Sequence, residues 1–374
     1  PELVARICGI CPVAYQMSAV QALESIFAVE PGDWARRMRR VFYCGEWLQS
    51  HALHIHLLAA PDFFGYGSAL EMAADYPEEV RRGMRLQALG NELMALFGAR
   101  AVHPVGARVG GFHRAPDAEA VAELRTRLMA AVDEAADLVR WVAGIAVPEQ
   151  EQGFPSAALR NGADYPMNQG RFTATTGLDV AIDRFADHVA EHQVPHSTAF
   201  HATLDGEPYL VGPLARLNLN ADCLPAETTA LLAASGLALP STNAFHSMLA
   251  RALECHAALV EAVRLLTDYR APERPYTEVT PRAGTGYGAT EAPRGVLWHR
   301  YTTDDAGHIT SARIVPPTSQ NQARIEDDLR TTLEARGLDA PDDELRALGE
   351  QVIRNYDPCI SCATHFLDLT VRRA

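Results

Sequence analysis

Two pairs of cysteines lie at opposite ends of this 374-residue chain, and both have the spacing Cys-x-x-Cys. The first pair is Cys8 and Cys11, and the second is Cys359 and Cys362. Such a pair at a helix start directs both sulfurs toward one point, where free backbone N–H groups and the helix dipole stabilise thiolates. Four thiolates can surround one soft metal ion. The spacing therefore predicts one four-thiolate metal site built from both ends of the chain.

The cysteine spacing alone leaves several kinds of site open. Compact zinc ribbons place their two pairs roughly 15–20 residues apart, whereas nearly the whole chain separates these two pairs. A long-range structural zinc, unrelated redox or buried thiols, and a catalytic metal are all compatible with this spacing. The residues around each pair are needed to choose among them.

Both cysteine pairs belong to longer motifs. The first reads Arg-x-Cys-Gly-x-Cys from Arg6, and the second reads Asp-Pro-Cys-x-x-Cys-x-x-His from Asp357. Together these motifs resemble the large, catalytic subunit of nickel–iron hydrogenases. The resemblance implies an enzyme that cleaves H2 heterolytically, and reversibly, into protons and electrons. It extends inward through Ser50–His54, His103-Pro104 with Gly110-Gly111, Tyr209–Pro213, Ala292–Gly295 and Val315–Thr318.

The resemblance also implies roles for the metal-ligating residues. Cys8 and Cys359 would be terminal nickel ligands, while Cys11 and Cys362 would bridge nickel to an iron that carries carbon monoxide and cyanide. Cys359 is also expected to be catalytic, as the acceptor of the proton released from H2. His365 corresponds to a C-terminal histidine that the family uses as a magnesium or iron ligand. Without the resemblance, His365 would be read as a residue of a frayed tail.

Other residues are expected to line the pocket around the iron. Pro316 and Pro317 could supply an apolar wall and Thr318 a hydroxyl donor, while Arg294 would supply a cationic edge. Asp357 could orient Arg294 above the metals, so both residues are expected to be catalytic. Each also has a simpler interpretation. The segment around Arg294 is by itself typical of a turn, and Asp357 precedes a proline, which suits the end of a helix.

Three histidines share one predicted helix but do not predict a metal site of their own. His51, His54 and His56 are spaced i, i+3 and i+5, so they do not all face one side of a helix. The resemblance implies only that His51 makes a hydrogen bond beside the site. Ser50 stands where many relatives carry an aspartate, which removes one acidic group expected above the metals.

The electrons are expected to leave through a partner subunit. Cys44, Cys223 and Cys255 are solitary, are predicted to be buried thiols, and could not together hold an iron–sulfur cluster. The resemblance implies an iron–sulfur small subunit, together with a maturation endopeptidase and nickel-insertion proteins. Tyr15 replaces a histidine found in many relatives, as in cytoplasmic bidirectional NAD(P)-linked or sulfhydrogenase alpha-type members. Further FAD-containing and iron–sulfur subunits would then reduce NADP or NAD, with coupling to coenzyme F420 or heterodisulfide reductase as the alternative.

Two functions of other classes compete with a hydrogenase. A structural subunit like the large peripheral-arm subunit of respiratory complex I would share the fold but lack the four cysteines, all of which are present here. A zinc-stabilised scaffold or a metal-storage protein would keep the cysteines but hold another metal. The identity of the bound metal therefore separates the second alternative from a hydrogenase.

Composition narrows the partners and the compartment. The net charge of −14 and a pI near 5.4 disfavour nucleic acid and anionic membranes as partners. No apolar run approaches the roughly 20 residues that cross a bilayer, and no leader sequence is recognisable. Seven cysteines, an odd number, do not form an evenly paired disulfide framework. We therefore expect a cytoplasmic protein.

Hydrophobic periodicity predicts a mainly α fold with subsidiary β structure (α+β), in which long helices form a bundle core. A hairpin is expected from Val296–Thr302 and His308–Val315, and a short β-like run at Tyr209–Val211. Pro61 is expected just past the end of the second helix, and the Pro/Gly-rich stretch 271–295 is expected to be an ordered loop at the site. The predicted helices are 13–30, 32–60, 77–99, 117–145, 225–235, 242–268, 325–336 and 342–355.

The chain is expected to be a single hydrogenase large-subunit domain over 1–374. Glutamates that the family places upstream of the first cysteine motif are missing, so we expect this domain to be N-terminally truncated. Residues 366–374 extend beyond the family's terminal histidine and are expected to be an uncleaved precursor peptide.

Overall fold

The computed structural model describes residues 1–150 and 152–359. Helices account for 53% of the structure and strands for 15%, which confirms the predicted fold class. Among the described residues, no helix combines the length and apolar character that crossing a membrane requires. The helices are α1 (Pro12–Phe27), α2 (Asp33–Leu53), α3 (Ala60–Phe64), α4 (Ala69–Met72), α5 (Pro77–Gly98), α6 (Ala118–Ala143), α7 (Phe185–His188), α8 (Pro213–Asn220), α9 (Ala226–Ser235), α10 (Ser247–Leu266), α11 (Pro317–Arg336) and α12 (Asp342–Asn355).

The described strands form small antiparallel sheets at the side of the helices. The largest has the order β10-β9-β8, a second has the order β3-β4-β5, and β1-β2 and β6-β7 are two-stranded. The predicted hairpin is present as β9 and β10, with Val315 opposite Trp298. The strands are β1 (Ala107–Arg108), β2 (Gly111–Phe112), β3 (Ala157–Arg160), β4 (Arg171–Ala174), β5 (Asp179–Val180), β6 (Val189–Gln193), β7 (Phe200–Leu204), β8 (Gly284–Ala292), β9 (Gly295–Thr303) and β10 (Ile309–Val315).

Helices α2, α5, α6 and α10 pack together around the main apolar core. Trp47, Leu93, Leu128 and Leu253, one from each helix, have no solvent-exposed surface. Burial of each such side chain contributes roughly 1.5–3 kcal/mol. This bundle provides the rigid frame from which α2 and α10 direct buried polar side chains toward the site.

Helix α1 crosses the face of the three-stranded sheet at very short range. At Gly288 a β-carbon would lie 2.0 Å from the carbonyl oxygen of Ser18, so a larger residue would push the helix away. The hydroxyl groups of Ser18 and Thr290 are also hydrogen-bonded at 2.7 Å. The sheet therefore fixes the position of α1, which begins directly after Cys11.

The expectation that 271–295 is a loop is wrong for its second half. Gly284–Ala292 forms strand β8, which pairs with β9 in continuous register. Its sequence contains several glycine and alanine residues, which have low β propensity, and tertiary packing overrides that preference. Arg294 therefore lies in the tight connection between two strands.

Helix α11 begins at Pro317, eight residues before the helix predicted at 325–336. A proline in the first turn is compatible with a helix because that position needs no N–H donor. Ser319, Gln320 and Asn321 follow and are all buried. The apolar periodicity is absent there because polar side chains occupy the inner face and bond to neighbouring elements.

Two smaller expectations also require correction. Helix α2 ends at Leu53, a π-helical turn spans His54–Ala59, and Pro61 lies in the first turn of α3 instead of beyond the helical segment. Tyr209–Val211 is not a strand, because only Leu210 forms a single bridge. Sequence periodicity does not distinguish a π turn from an α helix, or one bridge from a strand.

Candidate metal centre

The N-terminal cysteine pair lies at the start of α1. Cys11 occupies the N-cap position and Pro12 the first turn, which suits the fixed backbone of proline. Cys11 is buried and Cys8 is half-buried. The side-chain amide of Gln49 donates to the carbonyl oxygen of Ile10 at 2.6 Å. The loop between the two cysteines is therefore tied to α2.

The C-terminal segment returns to the same place through a sharp change of direction after α12. Asp357 has a φ of +50°, a left-handed conformation that costs a non-glycine residue about 1–3 kcal/mol. The Nε2 atom of His54 lies 2.8 Å from the carbonyl oxygen of Arg354, in the last turn of α12. Arg354 also forms an ion pair with Asp62. These contacts hold the end of α12 so that Cys359 hydrogen-bonds Cys8.

Arg294 joins the two ends of the chain. Its Nε atom donates to the carbonyl oxygen of Asp357 at 2.5 Å, and a terminal nitrogen donates to the Asp357 carboxylate at 3.2 Å. Its other terminal nitrogen lies 3.9 Å from the sulfur of Cys8. The Thr318 hydroxyl donates to the sulfur of Cys359 at 3.4 Å. One buried guanidinium group therefore contacts residues from both cysteine motifs.

The thiols of Cys8, Cys11 and Cys359 perturb one another. The pKa of Cys8 is raised, mainly by a hydrogen bond with Cys11, and the pKa of Cys359 is raised, mainly by a hydrogen bond with Cys8. Burial alone would lower the pKa of Arg294, but Asp357 and the three thiols raise it well above its ordinary value. A soft metal cation would stabilise such crowded thiols as thiolates. The donor set therefore fits the metal that the sequence predicts.

A second buried arginine holds the turn that presents Arg294. The guanidinium group of Arg216 donates to the carbonyl oxygens of Ala292 at 2.9 Å and Pro293 at 3.1 Å. Arg216 itself has no solvent-exposed surface and projects from α8. It therefore fixes the backbone directly before Arg294.

Arg216 also neutralises two buried carboxylates. It forms ion pairs with Glu254 at 2.7 Å and Glu291 at 2.9 Å. Burial would raise the pKa of Glu254, but Arg216 holds that pKa at about 2, whereas burial raises the pKa of Glu291 to about 7. His51 lies 2.9 Å from Glu254, and the Tyr165 hydroxyl donates to Glu254 at 2.8 Å. The hydrogen bond expected of His51 is thus directed into this network.

The segment Tyr209–Pro213 packs against the turn after Arg294. Gly295 has a φ of +133°, and a β-carbon there would lie 2.6 Å from the side chain of Val211. Asn321 of α11 accepts from the backbone N–H of Val211 at 2.9 Å and donates to its carbonyl oxygen at 3.1 Å. The turn, this segment and the start of α11 therefore form one packed unit.

Glu46 of α2 anchors the first turn of α1. Its carboxyl group accepts hydrogen bonds from the backbone N–H groups of Val13 at 2.6 Å and Ala14 at 3.1 Å. Burial raises the pKa of Glu46 to about 8, although both donors oppose this shift. Glu46 therefore supports the helix start that follows Cys11.

Sequence reasoning missed Arg216, Glu46, Glu254 and Glu291. A usable signal was present, because Glu254 interrupts a long apolar stretch of α10, and charged residues are almost never fully buried without a partner. The partners could not be identified from the sequence, since they come from four separate elements.

The structure brings most of the predicted site residues to one place. Pro316 and Pro317 lie at the N-cap and first turn of α11, beside Thr318. Cys362 and His365 lie outside the described residues. The predicted residues that meet around the guanidinium group are Cys8, Cys11, Arg294, Thr318, Asp357 and Cys359.

The buried solitary cysteines follow the sequence prediction with one exception. Cys44 and Cys255 are buried in the helical core, as expected, and burial raises the pKa of both thiols. Cys223 is partly exposed, so that expectation is wrong for this residue. It lies just before α9, outside the apolar face that the local sequence suggested.

The fold matches that of solved hydrogenase large subunits. An NAD+-reducing NiFe-hydrogenase in the H2-reduced state superposes with a TM-score of 0.88 and 26% identity, covering 97% of this chain and 87% of that chain. The NiFeSe-hydrogenase of Dm. baculatum superposes with a TM-score of 0.73 over 97% of this chain and 89% of that chain. At 22% identity the second likeness concerns the fold alone.

Sequence comparison assigns the family. The chain matches the family described as nickel-dependent hydrogenase over residues 1–82 and 192–365. The alpha subunit of sulfhydrogenase 1 of Pyrococcus furiosus is 33% identical over 368 residues, covering 97% of this chain and 86% of that protein. One subunit of the F420-non-reducing hydrogenase of Methanothermobacter thermautotrophicus is 32% identical and covers 100% of this chain and 86% of that protein.

The chain therefore belongs to the nickel-dependent hydrogenase family. This membership confirms the prediction of an oxidoreductase and that of a hydrogenase large subunit. The family implies a nickel–iron active site.

Replacement of Arg216 by methionine should destabilise the protein strongly. The Arg216→Met variant leaves two buried carboxylates without their cation, and breaking a buried ion pair typically costs about 3–5 kcal/mol. The matched control is Arg171→Met, which removes an exposed ion pair with Asp179 and should cost no more than about 1 kcal/mol. The free energy of unfolding from denaturant titration compares the two variants. Equal losses would show that Arg216 is not essential to the packing.

Replacement of Glu46 by glutamine should change the pH dependence of stability. The folded pKa is raised from 4.5 to about 8, so the folded protein keeps the proton that the unfolded chain releases. Wild-type stability should therefore fall from about pH 5 to about pH 8, by a few kcal/mol, relative to Glu46→Gln. Denaturant titrations at several pH values measure this difference, with exposed Glu207→Gln as the control. A constant difference would mean that the Val13 and Ala14 N–H groups keep the carboxylate ionised.

Proposed function

We propose that this chain holds its nickel–iron centre between Cys8, Cys11, Cys359 and Cys362, and that electrons from H2 pass through an iron–sulfur small subunit to NAD(P). The observation that supports the site most directly is the meeting of Cys8 and Cys359 beside one buried guanidinium group. These cysteines come from opposite ends of the chain. A contact of that kind is expected where four thiolates surround a common metal centre.

The cysteines would divide the two metals between them. Cys8 and Cys359 would be terminal nickel ligands, and Cys11 and Cys362 would bridge to iron. The complete burial of Cys11 supports an inner, bridging position, while the greater exposure of Cys8 and Cys359 supports outer positions. When bound, the centre would supply an open coordination position and the redox chemistry that heterolytic cleavage of H2 requires. His365 would hold a nearby magnesium or iron ion.

The surroundings of the cysteines suit an iron with carbon monoxide and cyanide ligands. Thr318 and Arg294 offer hydrogen-bond donors, and Pro316 and Pro317 offer apolar surface at the start of α11. Cyanide accepts hydrogen bonds, whereas carbon monoxide is accommodated by apolar contacts. We therefore assign these four residues to the pocket around iron.

Cys359 would accept the proton from H2. The fixed positive charge of Arg294 favours the thiolate form of a nearby sulfur, and Asp357 orients the guanidinium group through two contacts. Cys359 is exposed, so a proton on its sulfur can move on to water or to a neighbouring group. Arg294 and Asp357 would thus act by electrostatics and orientation, and the sulfur would carry the proton.

The proposed electron acceptor is NAD(P), reached through iron–sulfur and flavin subunits in a cytoplasmic assembly. The likeness to the NAD+-reducing NiFe-hydrogenase supports this choice. The alternative is an acceptor linked to coenzyme F420 or to heterodisulfide reductase, and relatives named F420-non-reducing hydrogenases favour the second of these. We also propose that the chain forms one domain, since the main core includes residues from Cys11 to Tyr356.

The acceptor is tested by H2-dependent reduction with the assembled complex. We expect reduction of NADP or NAD as well as of a viologen dye. Reduction of the dye alone, or of F420, would contradict the proposed acceptor while leaving the catalytic centre in place. A complex that contains nickel and iron but reduces neither dye nor cofactor would contradict the catalytic proposal.

Arg294→Lys should lower H2 oxidation with a viologen dye by about 10²–10³-fold. Lysine keeps the positive charge but cannot contact Asp357 and Cys8 at the same time, because it lacks the planar fork of arginine. The matched control is Arg160→Lys, which alters an exposed ion pair with Asp222 and should leave activity unchanged. Nickel and iron contents must be equal in all samples. Full activity of a metal-replete Arg294→Lys enzyme would contradict the proposed role.

A further inference from the structure

Two histidines and a glutamate meet at one point outside the cysteine centre. His201 lies in β7, His196 in the preceding loop, and Glu326 in α11. The Nε2 atom of His201 is 2.8 Å from one carboxylate oxygen of Glu326, and the Nε2 atom of His196 is 3.1 Å from the other. One potential ligand atom from each residue lies within 4.8 Å of the other two.

The tertiary structure fixes this cluster from two sides. The hairpin β6-β7 places His192 directly opposite His201, with ring centroids 5.9 Å apart. Helix α11 packs against β7 and carries Glu326. The side-chain amide of Gln322, one helical turn earlier, donates to the Glu326 carboxylate at 3.3 Å. The carboxylate is therefore oriented toward both imidazole rings.

We propose that His196, His201 and Glu326 form a binding site for a divalent first-row transition metal ion, with zinc as the expected occupant. Two imidazole nitrogens and one carboxylate oxygen are a ligand set that zinc accepts, with water in the fourth position. Magnesium and calcium prefer oxygen ligands, so the two imidazoles disfavour them. Binding requires neutral imidazoles and an ionised carboxylate, and it releases any proton that the cluster shares.

Burial differs between the two histidines in a way that suits a site open to solvent. His201 is 3% exposed, so its ring is held in place by the surrounding structure. The side chain of His196 is 65% exposed and lies in the loop 194–199. An ion can therefore enter from solvent past His196 while His201 provides a fixed ligand. The competing explanation is a pair of histidine–carboxylate ion pairs without a metal.

A bound ion would tie the β6-β7 hairpin to α11. This helix begins at Pro317, and its first turn carries Thr318, which contacts Cys359. The proposed role is structural, because no described contact joins the cluster to the cysteines. Zinc should thus stabilise the fold, since a ligand that binds only the folded state shifts unfolding to higher temperature.

The site is tested on the assembled holoenzyme, whose own metals occupy the cysteines. The enzyme is dialysed against zinc, bound zinc is counted, and its first coordination shell is measured by X-ray absorption at the zinc edge. His196→Gln and Glu326→Gln remove one ligand each and should weaken zinc binding at least tenfold. The matched control is His188→Gln, which alters a histidine paired with Asp205 elsewhere on the hairpin.

We expect one additional zinc with nitrogen and oxygen neighbours, loss of that zinc in both ligand variants, and its retention in the control. H2 oxidation should be unchanged in His196→Gln, which shows that the variant is folded. No additional zinc in the wild-type enzyme would overturn the proposal in favour of simple ion pairs. Zinc with sulfur neighbours, or zinc retained equally by the ligand variants, would also overturn it, because the ion would then lie elsewhere.

Discussion

The buried contact between Arg294 and Asp357 determines how the two ends of the chain meet. Their side chains are only 7% and 2% exposed, so a loss of either partner would leave an uncompensated charge in a nearly dry site. Asp357 also holds a left-handed backbone conformation, which places the residue before Pro358 against the guanidinium group. Because Arg294 reaches Cys8 as well, the position of both cysteine motifs depends on this one arginine.

The rest of the fold serves to keep that arginine in place. Arg216 holds the backbone before Arg294, and Glu254 and Glu291 hold Arg216. Asn321 fixes the segment that packs against the turn after Arg294. Each of these groups is buried, so each needs its partner to offset desolvation. The helical bundle and the three-stranded sheet supply the rigid elements from which the network is built.

The sequence predicted the helices and the chemistry better than the connections between them. Long amphipathic helices such as α5 and α6 follow from periodicity, and the cysteine motifs carry the family resemblance without any structural knowledge. Strand β8 could not be predicted, because glycine in a strand signals only close packing, and the packing partner is α1. The early start of α11 was hidden because buried polar residues replace the apolar pattern. The partners of Glu254 depend on contacts between elements far apart in the sequence.

The central claim is that the cysteines from both chain ends hold one nickel–iron centre. The most direct test is metal analysis and infrared spectroscopy of the chain purified anaerobically with its partner subunits. We expect nickel and iron in equal amounts at the large-subunit site, together with stretching bands of carbon monoxide and cyanide, and loss of both in Cys359→Ser. Zinc alone at the cysteines, with neither set of bands, would contradict the claim and leave a structural metal site.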